Sequence, residues 1–184
     1  MIRFNDGASK KALWLFLISL VMLPMNHAFA ALDMGAPAPD IKLPSALAGQ
    51  VSEFSLSEVL KQGPVVVYFF PAAFTSGCNR EAHAFAERIS EFTALGATVI
   101  GISNDNLETI KMFSVQECAG KFKVAADPDS TVIRAYDAKF PLVGKAQRVS
   151  YLIGKDHKIH FAYSSLFDPD SHIDQLLRAL KADK

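Results

Sequence analysis

The chain has 184 residues, half of them hydrophobic, with 19 Lys+Arg balancing 19 Asp+Glu and only two cysteines. That length supports one domain with a proper core, and the apolar fraction excludes a disordered tail protein. A neutral surface lacks the excess of Lys and Arg needed to displace counterions from phosphate, and two cysteines are too few for a disulfide-stapled miniprotein or a four-cysteine zinc site.

Nineteen of the first 30 residues are apolar. Arg3, Lys10 and Lys11 form a positive start that Asp6 dilutes, and Ala12–Met25 is an apolar block broken only by Ser19 and Pro24. Ala28-Phe29-Ala30 has the small-x-small pattern of a signal-peptidase site. Residues 1–30 are therefore expected to be a cleavable signal peptide, with residues 31–184 as the single mature domain. Anchorage in a membrane by residues 12–25 is the alternative, but that block is short for a span of ~20 residues. Cleavage leaves 16 basic and 18 acidic residues and no membrane association. The expected location is the periplasm or another exported, oxidising compartment, where a cysteine pair can bridge or cycle.

In the mature domain, Ala31–Ser45 carries Pro37, Pro39 and Pro44 and reads as an extended lead-in. Ser55-Leu56-Ser57-Glu58 has the spacing of a capping box and opens a short helix to about Gln62, stopped by Gly63-Pro64. Val65–Phe70 is apolar throughout and predicts a strand covered on both faces, closed by Pro71. Ala82, Phe85, Ala86, Ile89 and Phe92 then follow helical spacing. Ala97–Ser103 reads as a second buried strand, and Leu107, Ile110, Met112 and Phe113 suggest a helix ending near Gly120. Asp127-Pro128-Asp129 is turn chemistry before a helix holding Val132, Ile133 and Tyr136. Arg148–Ile153 and Lys158–Tyr163 form a hairpin around Gly154-Lys155-Asp156-His157, and Ile173, Leu176, Leu177 and Leu180 stripe a final helix. This order predicts an α/β single domain of thioredoxin-like fold, a central mixed β-sheet flanked by helices.

Chemistry concentrates in Tyr68–Glu81, YFFPAAFTSGCNRE, which puts Cys78 just past a buried strand and in the first turn of a helix. Unpaired amides and the positive end of the helix dipole collect there, and both favour a thiolate. Thr75 can offer a hydroxyl to the sulfur or to an oxygen beside it, and Pro71 can shield the sulfur from solvent. Glu81, one turn on, is suited to holding a cation in place. A buried structural cysteine is the plainer reading of Cys78 alone.

Pro71, Thr75 and Cys78 form Pro-x-x-x-Thr-x-x-Cys, and with Glu81 and the strand–loop–helix context the segment resembles the active-site signature of the peroxiredoxins, the AhpC/TSA family. Met34-Gly35-Ala36-Pro37-Ala38-Pro39-Asp40 is similar to the family's opening segment, with Asp40 where an aromatic is usual. Asp127-Pro128-Asp129 with Val132 and Tyr136, and Arg148-Val149-Ser150-Tyr151-Leu152-Ile153, also match family segments. The Q-type, or bacterioferritin comigratory, group is the nearest in pattern.

The resemblance implies a thiol peroxidase in which the Cys78 thiolate attacks a hydroperoxide and becomes sulfenic acid. It makes Arg148 the active-site guanidinium; Arg134 is the competing choice but matches no catalytic position. No metal, haem, flavin or other cofactor is required. Many Q-type members carry a resolving cysteine five residues after the first, where this chain has His83. Other relatives place it on the helix after the second strand, which implies Cys118 as resolver. A one-cysteine mechanism and a permanent structural bridge are the alternatives. The implied partners are a hydroperoxide and a thioredoxin-like or small-thiol reductant, with the protein a monomer or weak dimer. A periplasmic thiol–disulfide oxidoreductase is the alternative enzyme, but residue 75 is Thr75 where that class has a first cysteine. A non-enzymatic binding or holdase domain would show a decayed site, and these residues are all present.

Overall fold

The computed structural model describes residues 31–183; the expected signal peptide and its alternative role as an anchor lie outside them. Seven strands form one mixed sheet: β1 (Lys42–Leu47), β2 (Gln50–Ser55), β3 (Val65–Phe69), β4 (Thr98–Ser103), β5 (Lys123–Ala126), β6 (Val149–Ile153) and β7 (Ile159–Ser164). Helices α1 (Leu56–Leu60), α2 (Ser76–Ala94), α3 (Leu107–Gln116), α4 (Thr131–Ala135) and α5 (Asp170–Ala182) cover it. Across the sheet the order is β2-β1-β5-β4-β3-β6-β7, with β3, β4 and β5 parallel and the remaining pairs antiparallel. The thioredoxin-like plan expected from the element order is the one observed.

Strand β3 sits where the two faces meet. Its period-two alternation sends Val66 and Tyr68, followed by Phe70, into one core with Phe85, Phe92 and Phe113 from α2 and α3 and Leu176 from α5. Val65, Val67 and Phe69 enter the opposite core with Leu56 from α1, Ile133 from α4 and Tyr136 just beyond it. Each such side chain taken fully out of water contributes about 1.5–3 kcal/mol, so the strand carrying the candidate site is among the best-anchored parts of the chain. Among the described residues no helix is long and apolar enough to cross a membrane.

Two local expectations change, and the turn before α4 gains its detail. The lead-in is broken by a turn at Met34–Ala36, where the Ala36 amide donates to the Asp33 carbonyl (3.1 Å). From Lys42 it pairs in full register with β2 as a hairpin, Lys42 opposite Ser55 and Leu47 opposite Gln50. The capping-box bond at Ser55 is not made, because its hydroxyl meets the Ser57 hydroxyl at 3.0 Å. Before α4 the cap comes from Asp127, whose carboxylate accepts the amides of Thr131 (2.9 Å) and Ile133 (2.8 Å).

Candidate active site

The loop from β3 to α2 is held from several sides. The Phe70 amide donates to the Ile102 carbonyl (3.1 Å), continuing the sheet one residue past β3. The Ala73 amide donates to Asp105 (2.7 Å), which also accepts from the Ser103 hydroxyl (2.8 Å) at the end of β4. Phe74 adopts a left-handed φ of 62°, unfavourable for an aromatic residue, and its ring meets Phe113 edge-on at 5.4 Å. Thr75 then caps α2 in an extended conformation, and its hydroxyl donates to the Ala72 carbonyl (3.0 Å). The first helical bond runs from the Asn79 amide to Thr75 (2.9 Å), so the amides of Ser76, Gly77 and Cys78 precede the helical ladder.

Cys78 is the third residue of α2 and only 2% exposed. Arg148, just before β6, donates from Nη2 to the Cys78 sulfur at 3.5 Å and from Nη1 to Glu81. Its Nε donates to the Leu166 carbonyl (3.3 Å), so three separate partners fix the guanidinium. Gly77 makes room for it: a Cβ there would stand 3.2 Å from Nη2. Burial pulls the guanidinium down, but Glu81 and Cys78 outweigh it and hold Arg148 above its ordinary value. Burial raises the Glu81 carboxyl above its ordinary value, and Arg148 offsets only part of that rise. A fully buried carboxylate is sustainable here because the buried cation is its partner.

His172 of α5 completes the surroundings. Its Nε2 faces the Ser165 carbonyl (3.0 Å), which can only accept, so Nε2 carries the proton and Nδ1 accepts from Ser150 (2.7 Å). Nδ1 also lies 3.9 Å from Glu81, and burial brings this histidine down to about 4. A cavity of about 210 Å³ opens beside Arg148, lined by Phe140, Gln147, Leu166 and Phe167 among others.

The structure thus brings Cys78, Glu81 and Arg148 together, with Thr75 and half-buried Pro71 in the loop beside them. Arg134, the competing arginine, is exposed. Cys118 is fully buried beyond the end of α3, and both cysteines are free thiols. Its turn lies against the second and third turns of α2, where His83 meets Glu117 (2.8 Å) and Lys121 donates to the Ala86 carbonyl (3.1 Å). Those contacts are five to eight residues past Cys78, roughly 7–12 Å along the helix. His172, Ser150 and Gly77 were not singled out in the sequence, since only the long-range packing of β6 and α5 against α2 gives them a role.

A buried cysteine at a strand-to-helix turn, facing a buried guanidinium on a thioredoxin-like fold, is an arrangement suited to a thiol-based oxidoreductase. The AhpC/TSA family pattern matches residues 34–162. The chloroplastic peroxiredoxin Q of Sedum lineare is 33% identical over 163 residues, covering 88% of this chain and 85% of the relative. A putative peroxiredoxin of Mycobacterium tuberculosis is 35% identical over 130 residues, covering 69% and 84%. The crystal structure of peroxidoxin BcpB from M. tuberculosis superposes with a TM-score of 0.76 at 31% identity, covering 83% of this chain and 99% of that one. The chain belongs to the AhpC/TSA family, close to the peroxiredoxin Q relatives. It is a thiol-dependent peroxidase, and its substrates are peroxides.

Proposed function

We propose that Cys78 attacks the peroxide and that Arg148, Thr75 and the free amides at the start of α2 hold the peroxide oxygens. The observation that carries this reading is the buried guanidinium shared between the Cys78 sulfur and Glu81. In the reaction the thiolate attacks one oxygen of hydrogen peroxide or an organic hydroperoxide, and the O–O bond breaks. The departing oxygen takes a proton and leaves as water or alcohol, and Cys78 becomes sulfenic acid. Charge develops on that departing oxygen, so a cation and amides aimed at it stabilise the transition state more than the ground state. The Thr75 hydroxyl donates to Ala72 and keeps lone pairs to accept from a substrate O–H. Pro71 screens the sulfur from water, and Glu81 orients the guanidinium.

Cys118 is the resolving cysteine in this reading. The turn carrying Cys118 meets α2 at His83 and Ala86, five to eight residues past Cys78. That is beyond the Cα spacing of ~4.4–6.8 Å that a disulfide spans, so in this reading the first turns of α2 unwind for the bridge to form. A thioredoxin-like protein or a small thiol then reduces the bridge. Residues 1–30 act as a cleavable leader that carries residues 31–184 to the periplasm or another exported compartment, supported by the positive start, the apolar block and Ala28-Phe29-Ala30.

Peroxide consumption with a dithiol reductant tests the cysteine roles, with insulin reduction as the control. Cys78→Ser is expected to abolish consumption. Cys118→Ser is expected to complete one fast round and then stop. Full steady-state turnover in Cys118→Ser would remove it as resolver, and insulin reduction without peroxide consumption would favour a thiol–disulfide oxidoreductase.

A further inference from the structure

Tyr68 is buried to 1% exposure, yet its hydroxyl has no hydrogen-bond partner among the described residues. An orphaned buried hydroxyl costs stability, and a phenylalanine would fill the same space without that cost. The arrangement around Tyr68 is also specific. Tyr68 pairs with Gly101 across the β3–β4 ladder, and its ring lies over that glycine: a Cβ at position 101 would stand 2.5 Å from Tyr68 Cζ. The ring therefore leans over β4 toward β5, stacking on Phe85 of α2 at 4.4 Å and meeting the edge of Phe122 at 6.1 Å. Phe122 directly follows the turn that carries Cys118, and Cys78, Cys118 and Tyr68 share one buried cluster. Burial, with Cys118, Glu81 and Cys78 adding to it, pushes the phenol well above its ordinary value, so the hydroxyl stays protonated and able to donate.

We propose that the Tyr68 hydroxyl is the hydrogen-bond donor to the Cys118 sulfur during resolution, the partner it lacks in the reduced protein. This rests on the reading of Cys118 as the resolving cysteine. Burial pushes the Cys118 thiol far up, with Glu117 adding to the effect, so the attacking thiolate forms at a cost in this apolar surrounding. A donor beside the sulfur lowers that cost. In the step itself the Cys118 sulfur attacks the Cys78 sulfenic sulfur, an S–S bond forms and the S–O bond breaks. The leaving hydroxide takes the proton that Cys118 gave up and departs as water. The Cys118 sulfur is oxidised and the Cys78 sulfur reduced to the common disulfide level, so no outside electrons are needed.

The test is a single-turnover comparison of the wild type, Tyr68→Phe and Cys118→Ser, each pre-reduced and mixed with hydrogen peroxide. Loss of sulfenic acid and gain of disulfide are followed by quench and mass spectrometry. Tyr68→Phe is expected to form sulfenic acid at the wild-type rate and the disulfide about tenfold more slowly, the effect of losing one hydrogen bond to a charged acceptor. It should also accumulate more sulfinic acid at a given peroxide dose and melt at the same or a higher temperature. That combination separates a role in chemistry from a role in packing. Wild-type disulfide formation in Tyr68→Phe, with none in Cys118→Ser, would overturn the role of Tyr68 while leaving Cys118 as resolver. Wild-type sustained turnover in Cys118→Ser would overturn the resolver reading and this proposal with it.

Discussion

The two cysteines are almost equally hidden from solvent, yet their surroundings differ in kind. Around Cys78 lie a guanidinium at 3.5 Å and three amides ahead of the helical ladder. Around Cys118 the neighbours are apolar, and burial, with nearby Glu117, pushes its thiol up. Burial is common to both, and a buried cation beside the sulfur is what separates Cys78 from Cys118. Holding that cation takes more structure than holding the sulfur, since Arg148 uses Glu81, the Leu166 carbonyl and the space left at Gly77.

Shortening the cation should most nearly erase the contrast. Arg148→Lys cannot bridge the sulfur and the carboxylate with one planar fork, so the rate of sulfenic acid formation is expected to fall roughly 10²-fold. Stopped-flow peroxide consumption checks this, and an unchanged rate would detach Arg148 from the chemistry. A smaller loss is expected from Glu81→Gln, which keeps an acceptor for the guanidinium but removes the charge. About tenfold on the same step is expected, as for one charge-assisted bond reduced to a neutral one.

A separate effect concerns stability in acid and leaves the rate comparison aside. His172 is buried at about 4, below its unfolded value of ~6.5, so the unfolded chain takes up a proton first as pH falls. Its contribution is therefore present above pH ~6.5, is lost progressively as pH falls toward 4, and amounts to about 3 kcal/mol at most. Thermal melts of the wild type and His172→Gln over that window should show the variant losing less. Parallel pH profiles would show that this histidine is not the titrating group. His160 has the opposite sign. Burial opposes its charge, but Asp183 (2.7 Å) and Asp156 (2.8 Å) raise it, so its contribution is present below ~6.5 and lost as pH rises through the raised value.

Much of this arrangement was readable from local pattern. The apolar run of β3, the helix spacing of α2 and the turn between β6 and β7 each rest on residues close in sequence, and they position Cys78, Glu81 and Arg148. The β1–β2 hairpin was not readable, because Pro44 and the mixed polar pattern hide the alternation. Its turn also begins at Ala48 with a φ of 48°, not at a residue that announces that conformation. Strand β5 is four residues long and buried in mid-sheet, too short to show a period. Tyr68 and Gly101 become a pair only through the register of β3 on β4, and His172 reaches Ser150 across 22 residues of chain. The sequence held these residues but not their distances.

The most direct test of the contrast between the two cysteines is to trap sulfenic acid with dimedone in the first turnover and map the adduct by peptide mass. The account predicts an adduct on Cys78, formed quickly in the wild type and slowly in Arg148→Lys. An adduct on Cys118, or equally fast labelling of Cys78 in both proteins, would contradict it.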